Sequence, residues 1–204
     1  MNEQPVRTIV DLIRHGEPEG GRRYRGQTDD PLSAEGWRQM RAAVGDHCPW
    51  QAVVSSPLSR CSEFAAEIAG RHGLPLAFDA RFKEIGFGVW EGRTHDDIAS
   101  ADPAGFHAFY SDPLANRPEG AEALTDFRDR VTVAWNDLLA EYAGRHVLVV
   151  GHAGVIRMLV RHVLDAPLVR SFRIKVPYAA LTRLEAAGTG PDAMQSLIFH
   201  DGRL

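Results

Sequence analysis

Thr8-Ile9-Val10-Asp11-Leu12-Ile13-Arg14-His15-Gly16 is the stretch that decides the fold. Ile9, Val10, Leu12 and Ile13 form a short apolar run rich in β-branched residues, which suits a buried strand. The run stops on an arginine, a histidine and a glycine. In open α/β sheets, ligands bind beyond the carboxyl ends of the strands. Arg14 and His15 therefore stand where chemistry is done, and Gly16 allows a sharp turn and a close approach of ligand.

The same strand-to-helix pattern returns twice. Ala52-Val53-Val54 runs into Ser55-Ser56-Pro57-Leu58-Ser59-Arg60, and a helix through Phe64, Ala65, Ile68 and Ala69 closes at Gly73. Val147-Leu148-Val149-Val150 runs into Gly151-His152-Ala153-Gly154, and a helix follows through Val155, Ile156, Leu159 and Val160. Between these units, Ser33 is a candidate N-cap for a helix with Trp37, Met40 and Val44 on one face. Ala121 to Tyr142 form a longer amphipathic helix, with Leu124, Phe127, Val131, Ala134, Trp135, Leu138 and Leu139 along its stripe. Leu76–Phe78, Ala180–Glu185 and Ser196–His200 read as further strands, the last two separated by a Gly/Pro turn. Alternation of strands and helices predicts an α/β protein, a three-layer α/β/α sandwich around a mostly parallel sheet of about six strands.

Length and composition agree. The chain has 204 residues, which suits one domain spanning 1–204. Residues 94–120 have weak periodicity and read as an excursion that caps the site. A formal net charge of -4 disfavours nucleic acid and anionic membranes as partners. Two cysteines, Cys48 and Cys61, make no disulfide framework. No apolar run approaches the roughly 20 residues of a membrane span. With a polar start rather than a signal peptide, a cytoplasmic protein is expected.

The polar residues at the strand ends point to one chemistry. Arg14 and Arg60 offer rigid forks of N–H donors that match a tetrahedral oxyanion. His15 is a competent nucleophile. His152, if protonated, adds a donor to the same anion. Glu84 lies between apolar neighbours in a loop rich in glycine and aromatics, a setting that favours the protonated carboxyl and makes it a candidate general acid. Glu91 reads as structural. The long loop Glu17–Pro31, with Arg22, Arg23 and Arg25, reads as the mouth of an anion site. Together these residues suit phosphoryl transfer through a phosphohistidine, with fixed cations doing the neutralisation that a metal does elsewhere. No cofactor and no metal are expected. A metal held by His15 and His152 is disfavoured by the arginines around them, and Cys61 is expected to pack in its helix.

Leu12-Ile13-Arg14-His15-Gly16-Glu17 resembles the defining motif of the histidine phosphatase superfamily, in its phosphoglycerate-mutase-like branch. The resemblance extends through Gly26-Gln27-Thr28-Asp29, Ser55 to Arg60, Glu84-Ile85, Trp90-Glu91-Gly92, Pro118-Glu119-Gly120 and Gly151 to Arg157. It implies that His15 is phosphorylated, that Arg14, Arg60 and His152 hold the phosphoryl oxygens, and that Glu84 protonates the leaving group. Gln27 and Thr28 are implied as substrate-loop positions, and the Ala153 N–H as a phosphate contact. Gly21 stands where many relatives have an asparagine. The segment 94–119 holds Arg117 as its one cation, which favours hydrolysis over mutase chemistry. The implied substrate is a small-molecule phosphate monoester; the chain is similar to bacterial phosphatases of the α-ribazole phosphate (cobalamin synthesis) and fructose-2,6-bisphosphate kind. Phosphoglycerate mutase and a non-catalytic phospho-ligand binder are the alternatives, and a homodimer is one expected assembly.

Overall fold

The computed structural model describes residues 6–188 and 193–204. It is an α/β protein whose single sheet has six strands in the order β3-β2-β4-β1-β5-β6. These are β1 (Arg7–Arg14), β2 (Ala52–Ser55), β3 (Leu76–Phe78), β4 (His146–Gly151), β5 (Leu181–Ala187) and β6 (Met194–Gly202). The first four run parallel, whereas β5 pairs antiparallel with β1 and β6 antiparallel with β5. The turn expected between the last two strands falls on residues 189–192, outside the described residues.

Successive side chains of a strand point to opposite faces, and the two cores show it. Val10, Leu12, Val147 and Val149 face one layer, built from α5 (Leu124–Glu141) and α6 (Ala153–Val163). Ile13, Leu148 and Val150 face the other, built from α1 (Ala34–Val44) and α2 (Ser59–His72). Ser33 caps α1 by accepting the Gly36 N–H, and Gly73 ends α2 in the left-handed conformation. One charged group interrupts the strand core. Asp11 is fully buried and accepts from Trp50 Nε1 (2.9 Å), His146 Nε2 (2.8 Å) and Arg183 Nε (2.7 Å). A buried carboxylate is tolerated because partners surround it.

Two sequence expectations need correction. The long helix begins at Leu124 rather than Ala121, because 119–122 is engaged elsewhere: Val89 donates to the Glu119 carbonyl and Glu122 to that of Gly86. The segment 94–120 is also more ordered than its weak periodicity suggests. It holds α3 (His95–Ala101), opened by a reciprocal Thr94–Asp97 capping box, and α4 (Pro103–Ser111), capped by Asp102. Ile98 and Phe109 join Trp90 in a small core of their own. Among the described residues no helix is long and apolar enough to cross a membrane.

Parallel register brings the decisive strand ends together. Arg14 is level with Gly151, and both Ile13 and Ser55 are level with Val150. Because β5 runs the other way, its first residue, Leu181, lies beside Ile13 at the same edge. The segment leading into β5 is thereby delivered to the carboxyl end of β1.

Candidate active site

A cavity of about 770 Å³ opens beyond that edge. Arg14, His15, Arg60, Glu84 and Ala153 line it, together with Arg22, Arg23 and Arg25 from the loop after β1. His15 is held at the floor. Its backbone N–H donates to Gly151, and its ring Nδ1 lies 2.7 Å from the Gly16 carbonyl. A carbonyl only accepts, so Nδ1 carries the proton and Nε2 keeps its lone pair. Gly16 is required here on steric grounds. A Cβ at this position would stand 2.2 Å from the Gly36 carbonyl oxygen, where the loop crosses α1.

His152 is the residue preceding α6 and is fully buried. Its ring centre is 5.2 Å from that of His15, edge to face. Its Nε2 pairs with Ser56 Oγ at 2.8 Å. Burial, then the neighbouring Arg14 and Arg60, hold His15 well below the usual histidine range; burial, then Arg60, do the same for His152. Both imidazoles are therefore neutral in this site, so His152 is not the standing cation that the sequence reading entertained.

The arginines are fixed through backbone carbonyls. Arg60 donates from Nη1 to Thr28 (2.7 Å) and from Nη2 to Gly26 (2.8 Å). Arg14 donates from Nη1 to Val176 (2.6 Å) and stacks 4.1 Å from the centre of the Tyr178 ring. Burial lowers Arg14 to about 10. Neither guanidinium is in an ion pair, and the buried Nε of each lacks a hydrogen-bond partner among the described residues. Arg60 sits in the first turn of α2, where the helix dipole disfavours a cation. Asp29 offsets this by accepting from both the N–H and the hydroxyl of Ser59 at the same helix end.

Glu84 differs from the sequence expectation. Its carboxylate is not enclosed by apolar neighbours. Oε1 accepts the Ile85 N–H at 3.0 Å, and Oε2 accepts the Gly154 N–H at 3.1 Å, at the start of α6. Gln27 and Thr28 do not line the cavity. Their N–H groups and the Thr28 hydroxyl bond to Glu91, which also accepts from Phe87. They act on the site indirectly, since the same loop supplies the carbonyls that hold Arg60. Cys61 is buried in α2, and burial pushes its thiol up to about 12, which leaves no thiolate nucleophile. Gly21 adopts a left-handed backbone and gives its carbonyl to Arg25.

The sequence reading gave no role to Arg157, Lys175, Tyr24 and Tyr178, which also line the cavity. Phe87, Phe106, Tyr110 and Phe172 give it an aromatic wall, to which α4 contributes Phe106 and Tyr110.

Comparison with known proteins agrees with this fold. The bifunctional protein Rv2228c of Mycobacterium tuberculosis is 34% identical over 196 residues, 94% of this chain. The chain spans about half of that relative's length, 53%. The glucosyl-3-phosphoglycerate phosphatase of Mycolicibacterium vanbaalenii is 32% identical over 174 residues, covering 80% of this chain and 76% of that one. The solved structure of mycobacterial glucosyl-3-phosphoglycerate phosphatase Rv2419c superposes with a TM-score of 0.84 at 27% identity, covering 96% and 99% of the two chains. The sequence profile of the histidine phosphatase superfamily (branch 1) matches residues 10–196, and the chain belongs to that superfamily.

Proposed function

We propose that the protein is a phosphatase that hydrolyses a small-molecule phosphate monoester through a phosphohistidine on His15. The observation that carries this reading is the state of His15. The ring is neutral, it is oriented by the Gly16 carbonyl, and its Nε2 lone pair is left free in a cavity that Arg14 and Arg60 line, neither of them in an ion pair among the described residues. In the first step Nε2 attacks phosphorus and the ester P–O bond breaks. Glu84 gives its proton to the departing oxygen. In the second step water attacks the phosphoryl group, Glu84 takes a proton from it, and inorganic phosphate leaves as the P–N bond breaks. Arg14 and Arg60 hold the equatorial oxygens throughout, using N–H groups that have no partner among the described residues. Ala153, at the start of α6, presents a further backbone donor. His152 packs against His15 and fixes its position.

Residues 94–120 act as a cap in this reading, since α3 and α4 place His95, Phe106, His107 and Tyr110 in the cavity wall. Candidate substrates are α-ribazole 5′-phosphate, phosphoglycerates and sugar phosphates. The two free cysteines fit a cytoplasmic setting. Phosphoglycerate mutase is a second reading with one observation in its favour. Cations scarce in segment 94–119 are supplied to the cavity by Arg22, Arg23, Arg157 and Lys175 instead.

The test is turnover of p-nitrophenyl phosphate in the presence of EDTA, by the wild type and His15→Ala. The expected result is metal-independent release of phosphate that is abolished in the variant, with an acid-labile, base-stable phosphoryl label on the wild type alone. Activity that survives loss of His15 would overturn the proposal, and no activity at all would favour a phospho-ligand binder. Incubation with phosphoglycerates separates the two catalytic readings by the product: inorganic phosphate or an isomer.

A further inference from the structure

The phosphoryl step leaves much of the cavity's charge unused. Among the described residues, seven cationic side chains line the cavity against one carboxylate, Glu84. A phosphate monoester brings a charge of about -2 at most, which Arg14 and Arg60 meet. Arg25 is neutralised by Asp30. Arg157 lies one turn along α6 from Ala153. It donates Nε–H to the Ile174 carbonyl at 2.9 Å and stands 5.7 Å from the centre of the Phe172 ring. Burial pulls it below the usual arginine range, while Glu84, Tyr110 and Tyr24 act in the other direction. Among the described residues neither Arg157 nor Lys175 pairs with a carboxylate. A half-buried guanidinium without a counter-charge carries a desolvation cost, and an anion in the cavity would offset it.

The same short segment fixes the spacing. The Val176 carbonyl anchors Arg14, and the Ile174 carbonyl anchors Arg157. Two residues of chain span at most about 7 Å, so the anchors lie within a small molecule's length of each other. Lys175 comes between them and also faces the cavity.

We propose that Arg157 and Lys175 form a second anion subsite, and that the substrate is a phosphate monoester bearing a further carboxylate or phosphate on a short skeleton. The proposal rests on the phosphatase reading for the word substrate, but its test is one of binding. It ranks phosphorylated acids and sugar bisphosphates above a monoester whose leaving group is uncharged, such as α-ribazole 5′-phosphate. The reaction that supplies the substrate is then one that phosphorylates, or builds upon, an already anionic metabolite.

Calorimetric titration of the wild type with propylphosphonate, 3-phosphonopropionate and propane-1,3-bisphosphonate provides the test. None can be hydrolysed, and the last two differ in the kind of second anion. At least one of them should bind about tenfold tighter than propylphosphonate, equivalent to about 1.4 kcal/mol. Arg157→Gln should close that gap, and Lys175→Met, at an exposed position that does not threaten folding, should narrow it about threefold. Equal affinity for all three probes would overturn the subsite, as would a preference that persists in both variants. If Arg157→Gln does not fold, Lys175→Met decides alone. Failure of the phosphohistidine reading shows separately, as turnover that survives His15→Ala.

Discussion

Gly154→Ala tests the placement of Glu84 without touching its carboxyl group. A Cβ on residue 154 would stand 2.0 Å from Glu84 Oε1 and 3.2 Å from Phe127 Cε1. Aromatic and helix backbone are fixed, so the Glu84 side chain must swing away and give up its bond from the Gly154 N–H. The stability terms oppose one another. Loss of a hydrogen bond to a charged group costs about 1.5–3 kcal/mol, and alanine in a helix gains about 1 kcal/mol over glycine. The melting temperature should therefore shift by only a few degrees. Activity should respond far more. A positioned general acid contributes about 10²–10⁴-fold, equivalent to about 3–5 kcal/mol of barrier. That loss should appear in kcat/KM for an alkyl phosphate, whose alkoxide needs the proton. It should be less than about tenfold for p-nitrophenyl phosphate, whose phenolate leaves unaided. Adding Glu84→Gln to Gly154→Ala should cost little more, because both changes remove one interaction. Equal losses on the two substrates, or full activity of Gly154→Ala on the alkyl ester, would refute the role given to Glu84.

Two further outcomes follow from other parts of the molecule. His15 and His152 stay neutral in the fold while their unfolded counterparts titrate near about 6.5. Their contribution is complete above that pH and is lost as pH falls, by up to about 1.4 kcal/mol per unit for each. For Asp11, burial raises the carboxyl but bonds from His146, Arg183 and Trp50 outweigh it, so its net shift is downward. Its stabilisation is present above about pH 4 and disappears as pH drops through its folded value. Melting curves from pH 7.5 to 3.5 should thus decline in two stages, and a flat profile between 7.5 and 5.5 would contradict the neutral imidazoles. Glu91→Ala should free Gln27 and Thr28, loosen the carbonyls that hold Arg60, and lower kcat/KM on p-nitrophenyl phosphate about ten- to hundredfold. An unchanged value would show that Arg60 is positioned without that loop.

Much of the site was legible because it lies on strand ends. Arg14 and His15 close one apolar run, His152 follows another after a single glycine, Arg60 opens the helix that comes after a third, and parallel register aligns those runs. Residues placed by long-range geometry were harder to read. Arg157 looks in sequence like a solvent-facing helix residue; its 3- and 4-residue spacing from Gly154 and Ala153, which puts it on the cavity face, was the available signal. Lys175 and Tyr178 sit in a stretch with no periodicity, placed by the antiparallel return of β5. The helices α3 and α4 span 7 and 9 residues, too short to establish a period, although Thr94, Asp97 and Asp102-Pro103 mark their starts. The bonds of Gln27 and Thr28 to Glu91 were not legible, because a loop sequence fixes which residues are near a site and not which way each one turns.

The carbonyl of Val176 that steadies Arg14 has a consequence for synthesis on the ribosome. A nascent chain that ends before Ile174 already contains His15, Arg60, Glu84 and His152, together with all four parallel strands. It lacks the two oxygen atoms that restrain Arg14 and Arg157, and it lacks the neighbour that borders β1 on its open side. On the proposed reading competence is thus conferred late, by the residues from Ile174 onward, and a polypeptide that stops short of them carries His15 without the fixed Arg14 that would let it act.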